Sequence, residues 1–181
     1  KLERHEEAMA SFDQALSIDP DFSYAWNARG DVLADLERFE EALSCYTQAV
    51  QGEPVPRSSW YSRGLVLCEL GRYEEAIDSL DHTLLQEPGF PFAWEARGDA
   101  LAELHRYEEA LICYDKVLEI EPNYENMWNK RGIILDNLER YQEAIASFDQ
   151  AIEINPDDYY AWRNRGDVWE NLKCYENAIE S

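Results

Sequence analysis

The side chains able to do chemistry in this sequence are three histidines, four cysteines and 38 carboxylates. Their spacing decides which chemistries are open to them. A catalytic histidine needs a nucleophile and an orienting group within hydrogen-bond reach. His5, His82 and His105 instead fill positions of an internal repeat. His5 stands where Phe39 and Tyr73 stand, His105 takes the place of the turn residue Gly71, and His82 lies mid-helix. No Gly-rich phosphate loop or metal-ligand spacing occurs. Cys45, Cys68, Cys113 and Cys174 form no CxxC pair and keep no regular spacing, so neither a zinc site nor a disulfide framework is expected. They read as reduced thiols serving as small hydrophobes, which fits a cytoplasmic location. Catalysis, metals and cofactors are not expected.

The carboxylates remain. Against 16 basic residues they leave a net charge of −22. This argues against nucleic acid, where affinity comes from cations that displace phosphate counterions, and against anionic membrane surfaces. No apolar run approaches the roughly 18 residues of a spanning helix. Yet 45% of the residues are hydrophobic and 13% aromatic, too many for a disordered chain. With no initial methionine and a last residue inside an apparent helix, the sequence reads as a piece of a longer protein.

The elements that position these side chains follow from one period. Trp26, Trp60, Trp94, Trp128 and Trp162 recur every 34 residues, each opening a Trp-x-x-Arg-Gly string that ends at Gly30, Gly64, Gly98, Gly132 or Gly166. A proline stands six positions before each of them, from Pro20 to Pro156, and Ala8, Ala42, Ala76, Ala110, Ala144 and Ala178 keep the same step. Four full repeats span 23–56, 57–90, 91–124 and 125–158. A half repeat at 1–22 precedes them and a truncated one at 159–181 follows, all in a single array.

Within a repeat the apolar spacing is helical. Trp26, Leu33 and Leu36 share one stripe; Ala42, Tyr46, Ala49 and Val50 share another. Between them Glu37-Arg38-Phe39 is a connection short enough for an antiparallel pair. Gly in the first helix and Ala in the second let two backbones approach. Proline closes the repeat, and carboxylates such as Glu40 and Glu41 favour the start of the second helix. Arg4, Arg38, Arg72, Arg106 and Arg140 sit in the turn, where a cation suits the end of helix one.

This pattern resembles the tetratricopeptide repeat over essentially the whole chain, in length and in its Trp, Gly, Ala, aromatic and Pro positions. The resemblance implies an all-α fold: a right-handed α-solenoid, or superhelix, of antiparallel helix-turn-helix repeats, whose first helices line a concave groove. One departure is systematic. Where the family usually has Leu before the Gly, this chain has Arg29, Arg63, Arg97, Arg131 and Arg165. Their stems are expected to pack beside the Trp while the guanidinium pairs with a carboxylate; a cationic ladder for anionic ligand groups is the other reading.

By the same resemblance, the groove is supplied by Tyr24, Asn27, Asp31 and Asp35 from the first repeat and Tyr61, Leu65 and Glu69 from the second. Phe92, Glu95, Asp99 and Glu103 follow from the third, and Asn126, Asn129 and Asn137 from the fourth. Carboxylates beside aromatic rings suit Arg or Lys through charge pairing and cation–π contact. The function expected is therefore a scaffold for a protein or peptide segment of basic character, with a solvated acidic face that binds nothing as the plainer reading.

The Lys, Asn and Arg residues with which some family members grip C-terminal carboxylates are absent: those places hold Asn27, Asp31, Ser62, Phe92 and Ala96. The asparagine ladder of other arrays is missing too. The alternative reading is a sensory or substrate-recruiting arm of a larger enzyme. Self-association is a further expectation, because Met9, Phe12 and Leu16 at one end and Val168, Trp169 and Leu172 at the other would lack covering repeats. Finally, Gly52-Glu53-Pro54-Val55-Pro56 should shorten the helix before it and loosen that joint.

Overall fold

The computed structural model describes residues 2–179, with side chains placed over 4–173. These residues form ten helices: α1 (Leu2–Ile18), α2 (Ser23–Asp35), α3 (Phe39–Gln51), α4 (Ser59–Glu69), α5 (Tyr73–Gln86), α6 (Pro91–Glu103), α7 (Tyr107–Ile120), α8 (Glu125–Asn137), α9 (Tyr141–Ile154) and α10 (Tyr159–Ile179). They fall into two compact halves, residues 1–88 and 89–181. Within each half, consecutive helices pack as helix-turn-helix pairs.

The turn inside each pair has one construction. Glu37, His105 and Glu139 adopt φ of 58°, 57° and 58°, and Gly71 adopts 69°. This left-handed residue lets the next N–H fold back: Arg38, Arg72, Arg106 and Arg140 each donate at 2.9 Å to the carbonyl of Leu33, Leu67, Leu101 or Leu135. The same arginines then reach forward rather than back. Arg38 donates from Nε and Nη2 to the two carboxylate oxygens of Glu41 at 2.7 and 2.8 Å. Glu75, Glu109 and Glu143 are held in the same way by Arg72, Arg106 and Arg140. The turn arginine therefore clamps the first turn of the second helix instead of complementing the end of the first.

The conserved spacings also acquire causes. The indole N–H of Trp26, Trp128 and Trp162 donates to the carbonyl of the proline six residues earlier, at 2.8, 2.8 and 2.9 Å. The helix-one glycine lies under the aromatic or leucine 16 residues later: a Cβ on Gly30 would meet Tyr46 at 2.7 Å, and one on Gly132 would meet Phe148 at 2.6 Å. In the first half Leu33, Leu43, Tyr46, Val66 and Leu67 make one buried cluster, with Met9, Trp26 and Phe39 packed against it.

At the first end Met9 packs on that cluster and Leu16 is buried, while Ile18 is exposed on α1. Val168 and Leu172 are buried as well, leaving Trp162 and Trp169 exposed on α10. The connection after α3 does end that helix at Gln51, leaving 13 residues where α5, α7 and α9 have 14. It is not loose. A Cβ on Gly52 would come within 2.9 Å of Ser23 Cβ, and the Ser23 hydroxyl donates to the Pro54 carbonyl, so the segment is tied to the start of α2.

The chain departs from its own pattern at the end. α10 runs through as one helix of 21 residues instead of breaking into a pair. Cys174 and Asn177 stand where the other repeats place the Arg–Glu clamp.

Candidate functional site

The five arginines before the glycines are structural ties within each half. Arg29 donates from Nε to Asp13 Oδ1 at 2.9 Å and from Nη1 to Cys45 Sγ at 3.0 Å. Arg131 does the same with Asp115 and Ser147, both at 2.7 Å. Arg63 bonds Ser79 and Thr47, Arg97 bonds Cys113, and Arg165 bonds Asp149. Arg29, Arg63, Arg97 and Arg131 thus each grip the residue 16 positions later, Cys45, Ser79, Cys113 and Ser147 in turn. Arg29, Arg131 and Arg165 also hold a carboxylate 16 positions earlier, on the second helix of the preceding repeat. The guanidinium carbons of Arg29, Arg63, Arg131 and Arg165 lie 6.0, 5.9, 5.8 and 4.4 Å from the ring centroids of Trp26, Trp60, Trp128 and Trp162. With stem and head both engaged, these cations are not a ladder offered to a ligand.

In the first half the candidate face is carried by α2 and α4. Tyr24, Asp31, Asp35, Leu65 and Glu69 are exposed on it, and Tyr61 is half-buried. Asn27 lies under the face: its amide donates to Asp31 Oδ2 at 3.1 Å and its oxygen accepts from Ser59 Oγ at 2.7 Å. Asp31 Oδ1 accepts from the buried Tyr46 hydroxyl at 2.8 Å. Burial holds the Asp31 carboxyl above the usual carboxylate range; the Tyr46 bond opposes this and the charge of Asp35 adds to it. Tyr46 is raised by its own burial and then by Asp31, while Ser62 pulls the other way. Among the described residues no cationic side chain pairs with Asp31, Asp35 or Glu69.

In the second half α6, α8 and α10 carry the equivalent face, and here the charge is already answered. Lys130 Nζ donates to Glu95 Oε1 at 2.8 Å and to Asp99 Oδ1 and Oδ2 at 2.9 and 2.7 Å. Tyr114 donates to Asp99 Oδ1 at 2.8 Å and Tyr124 to Glu95 Oε2 at 3.0 Å. Burial works against the ammonium, but Asp99 and Glu95 outweigh it and hold Lys130 above the usual lysine range. A cleft of about 320 Å³ opens beside this network, lined by Asp99, Glu103, Tyr114, Lys130 and Ile133 among others.

Phe92, Glu103, Asn126 and Asn137 are exposed, although the Asn137 amide donates to the Ile133 carbonyl of its own helix at 2.8 Å. Asn129 is half-buried and accepts from the Asn164 amide at 3.1 Å. His82 stacks on Trp60 with centroids 4.2 Å apart, and His105 Nδ1 lies 2.7 Å from the Tyr107 hydroxyl, while the buried His5 Nδ1 has no hydrogen-bond partner among the described residues. Among the described residues no group of His, Cys, Asp and Glu is placed to hold a metal ion, and no helix is long and apolar enough to cross a membrane. Among the described residues Cys45, Cys68 and Cys113 form no disulfide; the Cys174 side chain lies outside the described residues.

Lys130 is the functional residue that spacing by 34 conceals, because its place in the repeat holds Ala28, Ser62, Ala96 and Asn164 elsewhere. A signal for it exists at twice that period. Ala93-Trp94 and Ala96-Arg97-Gly98-Asp99 repeat Ala25-Trp26 and Ala28-Arg29-Gly30-Asp31, and Cys113-Tyr114 repeats Cys45-Tyr46, all 68 residues on. Across that longer period Glu95 and Lys130 replace Asn27 and Ser62 together, adding one charge of each sign.

Comparison with known proteins agrees with this geometry. YrrB, described as "a TPR protein with an unusual peptide-binding site", is 25% identical, with a TM-score of 0.85 over 91% of this chain and 85% of that one. MamA from Desulfovibrio magneticus RS-1 is 18% identical, with a TM-score of 0.79 over 87% and 90%. A tetratricopeptide repeat protein from Parabacteroides merdae is 22% identical, with a TM-score of 0.80 over 97% and 70%. The last two likenesses bear on the fold alone. No curated protein matches significantly. Four models of the tetratricopeptide repeat match in series, at residues 1–22, 27–86, 91–124 and 126–158. With helix pairs, turn clamps and Trp–Pro contacts recurring at the same 34-residue step, the chain belongs to the tetratricopeptide repeat family.

Proposed function

We propose that this protein is an interaction scaffold, not an enzyme, and that it holds a basic segment of a partner protein on the helix-one face of its first half. The observation that carries this reading is the contrast between the two faces. Asp31, Asp35 and Glu69 stand without a cation among the described residues, beside exposed Tyr24 and Leu65. Glu95 and Asp99 are instead bridged by Lys130, which offsets one of their two charges. A basic side chain gains charge pairing and ring contact on the first face; on the second it would first have to compete with Lys130. The peptide-binding site ascribed to the similar YrrB supports a peptide as ligand. Cysteines kept as thiols and not as disulfides among the described residues support a cytoplasmic setting.

The test is a titration with basic, acidic and apolar peptides. Basic peptides should bind with Kd of micromolar order, about −8 kcal/mol, and weaken as salt screens the charges. Joint reversal of Asp35 and Glu69 to Lys should remove that binding. Acidic or apolar peptides binding as tightly as basic ones would refute the reading. Reversal at Asp99 is a poor test, because it would break the Lys130 network from within.

A further inference from the structure

The two halves contain the same polar site in two states of occupancy. In the second half Tyr114 donates to Asp99 Oδ1, and the carboxylate then takes an ammonium: Lys130 Nζ at 2.9 and 2.7 Å from its two oxygens. In the first half, 68 residues earlier at every position, Tyr46 donates to Asp31 Oδ1 at the same 2.8 Å. Ser62 stands where Lys130 stands, and Asn27 where Glu95 stands. Ser62 lies at the Tyr46 hydroxyl. The tyrosine, the carboxylate and the flanking aliphatic (Leu65 for Ile133) are all kept, and Leu65 and Ile133 are exposed to nearly the same degree, 37% and 40%. The cation is missing, and with it Glu95, the second carboxylate that shares Lys130.

We infer that the first half holds an open ammonium site, Asp31 backed by Tyr46 and Ser62 with Leu65 beside it, which accepts a lysine side chain from the partner segment. Lys130 displays the ligand chemistry: an ammonium on the oxygens of a tyrosine-anchored aspartate. Asp31 has capacity for it. A carboxylate offers about four lone-pair sites, and Tyr46 and Asn27 use two. Neither bond supplies positive charge. The chain also leaves Asp31 with an unmet electrostatic cost, since burial and the neighbouring Asp35 both raise its pKa. An incoming ammonium relieves that cost, while its aliphatic stem lies along Leu65. This rests on the reading of the first-half face as the docking face, and it adds which carboxylate reads the ligand and that the side chain read is lysine.

The experiment is an NMR titration of the full chain with the capped peptide Gly-Leu-Lys-Leu-Gly and its norleucine counterpart. The lysine peptide should shift amide signals around Asp31, Tyr46 and Ser62 and lower the titration midpoint of Asp31. The norleucine peptide should bind about tenfold more weakly, or worse. Ser62→Lys, which fills the site from within as Lys130 does, should reduce lysine-peptide affinity about tenfold. Lys130→Ser should open a second set of shifts around Asp99. If Ser62→Lys binds the lysine peptide as well as the native chain, while reversal of Asp35 and Glu69 abolishes binding, the ammonium site is refuted and the basic-segment reading survives. If no basic peptide binds at all, both are refuted. Should Ser62→Lys fail to fold, equal affinity of the native chain for the lysine and norleucine peptides refutes the site.

Discussion

Gly98 lies directly beneath the ring of Tyr114, whose Cε1 would stand 2.5 Å from a Cβ placed on that glycine. The contact lets the tyrosine lie flat between α6 and α7 and aim its hydroxyl at Asp99. Gly98→Ala should therefore destabilise the protein by about 1–3 kcal/mol, the usual cost of overpacking a tight core. Gly166 occupies the same repeat position in α10 with nothing within 4 Å of its would-be Cβ. There the substitution to Ala should stabilise, by roughly 0.5–1 kcal/mol, because the helix interior loses a flexible residue. Urea denaturation of the two variants checks the opposite signs.

Arg131 makes the clearest case for the arginine ties. Replacing it with Leu restores the residue more usual in the family but removes the charged donor to the buried Ser147 hydroxyl, which keeps only its bond to the Glu143 carbonyl, and frees Asp115. A loss of about 1.5–3 kcal/mol is expected, the range for hydrogen bonds to charged groups. Binding of a basic peptide to the first half should be unchanged. Denaturation and a peptide titration on the same variant separate the two effects; lost binding with unchanged stability would show that the arginine serves a ligand.

Lys130 ties stability to alkaline pH. Its pKa is raised in the folded protein, so its contribution is complete below the usual lysine value of about 10.4 and is lost as pH rises through the folded value. Lys130→Met should be less stable at neutral pH, because Glu95 and Asp99 then face each other unpaired. It should also lack the native alkaline loss. Thermal midpoints measured at neutral and alkaline pH test both outcomes.

The turn at Glu139 holds a side chain in the left-handed region, at φ 58°, where its counterpart Gly71 sits at 69°. Glu139→Gly should stabilise by about 1 kcal/mol, since an L-residue pays roughly that much for this conformation. The gain should appear as a higher denaturation midpoint with an unchanged slope.

The Arg–Glu clamp makes a signature in acid. The arginine beside each of Glu41, Glu75, Glu109 and Glu143 holds that carboxyl below its usual value, its hydrogen bonds being the main cause. A depressed carboxyl pKa stabilises above the unfolded value and ceases to do so as pH falls through the folded one. Carboxyl NMR should find these four glutamates titrating below the usual glutamate range, and Arg38→Gln should return Glu41 toward it. Unchanged titration of Glu41 in that variant would dismiss the clamp.

Much of the fold was legible because it is local and repeated. The 34-residue step of Trp26, Gly30, Ala42 and Pro54 names the helices, the close approach and the closing turn, and the structure supplies each with a contact. Even the shortened α3 followed from Gly52, Pro54 and Pro56 alone. That this joint is anchored was not legible, since Ser23 reaches Pro54 across 31 residues. The 34-residue step by itself determined that these residues share a helix-one register, and the resemblance to the family proposed that they line one face; Asn27 lies beneath it. Only the tertiary structure decided what their charges are worth. Periodicity counts Asp31 and Asp99 as equal members of one acidic face. Whether a carboxylate is open or answered depends on a cation brought from the next repeat, 31 residues from Asp99 at Lys130, and on how far both are removed from water.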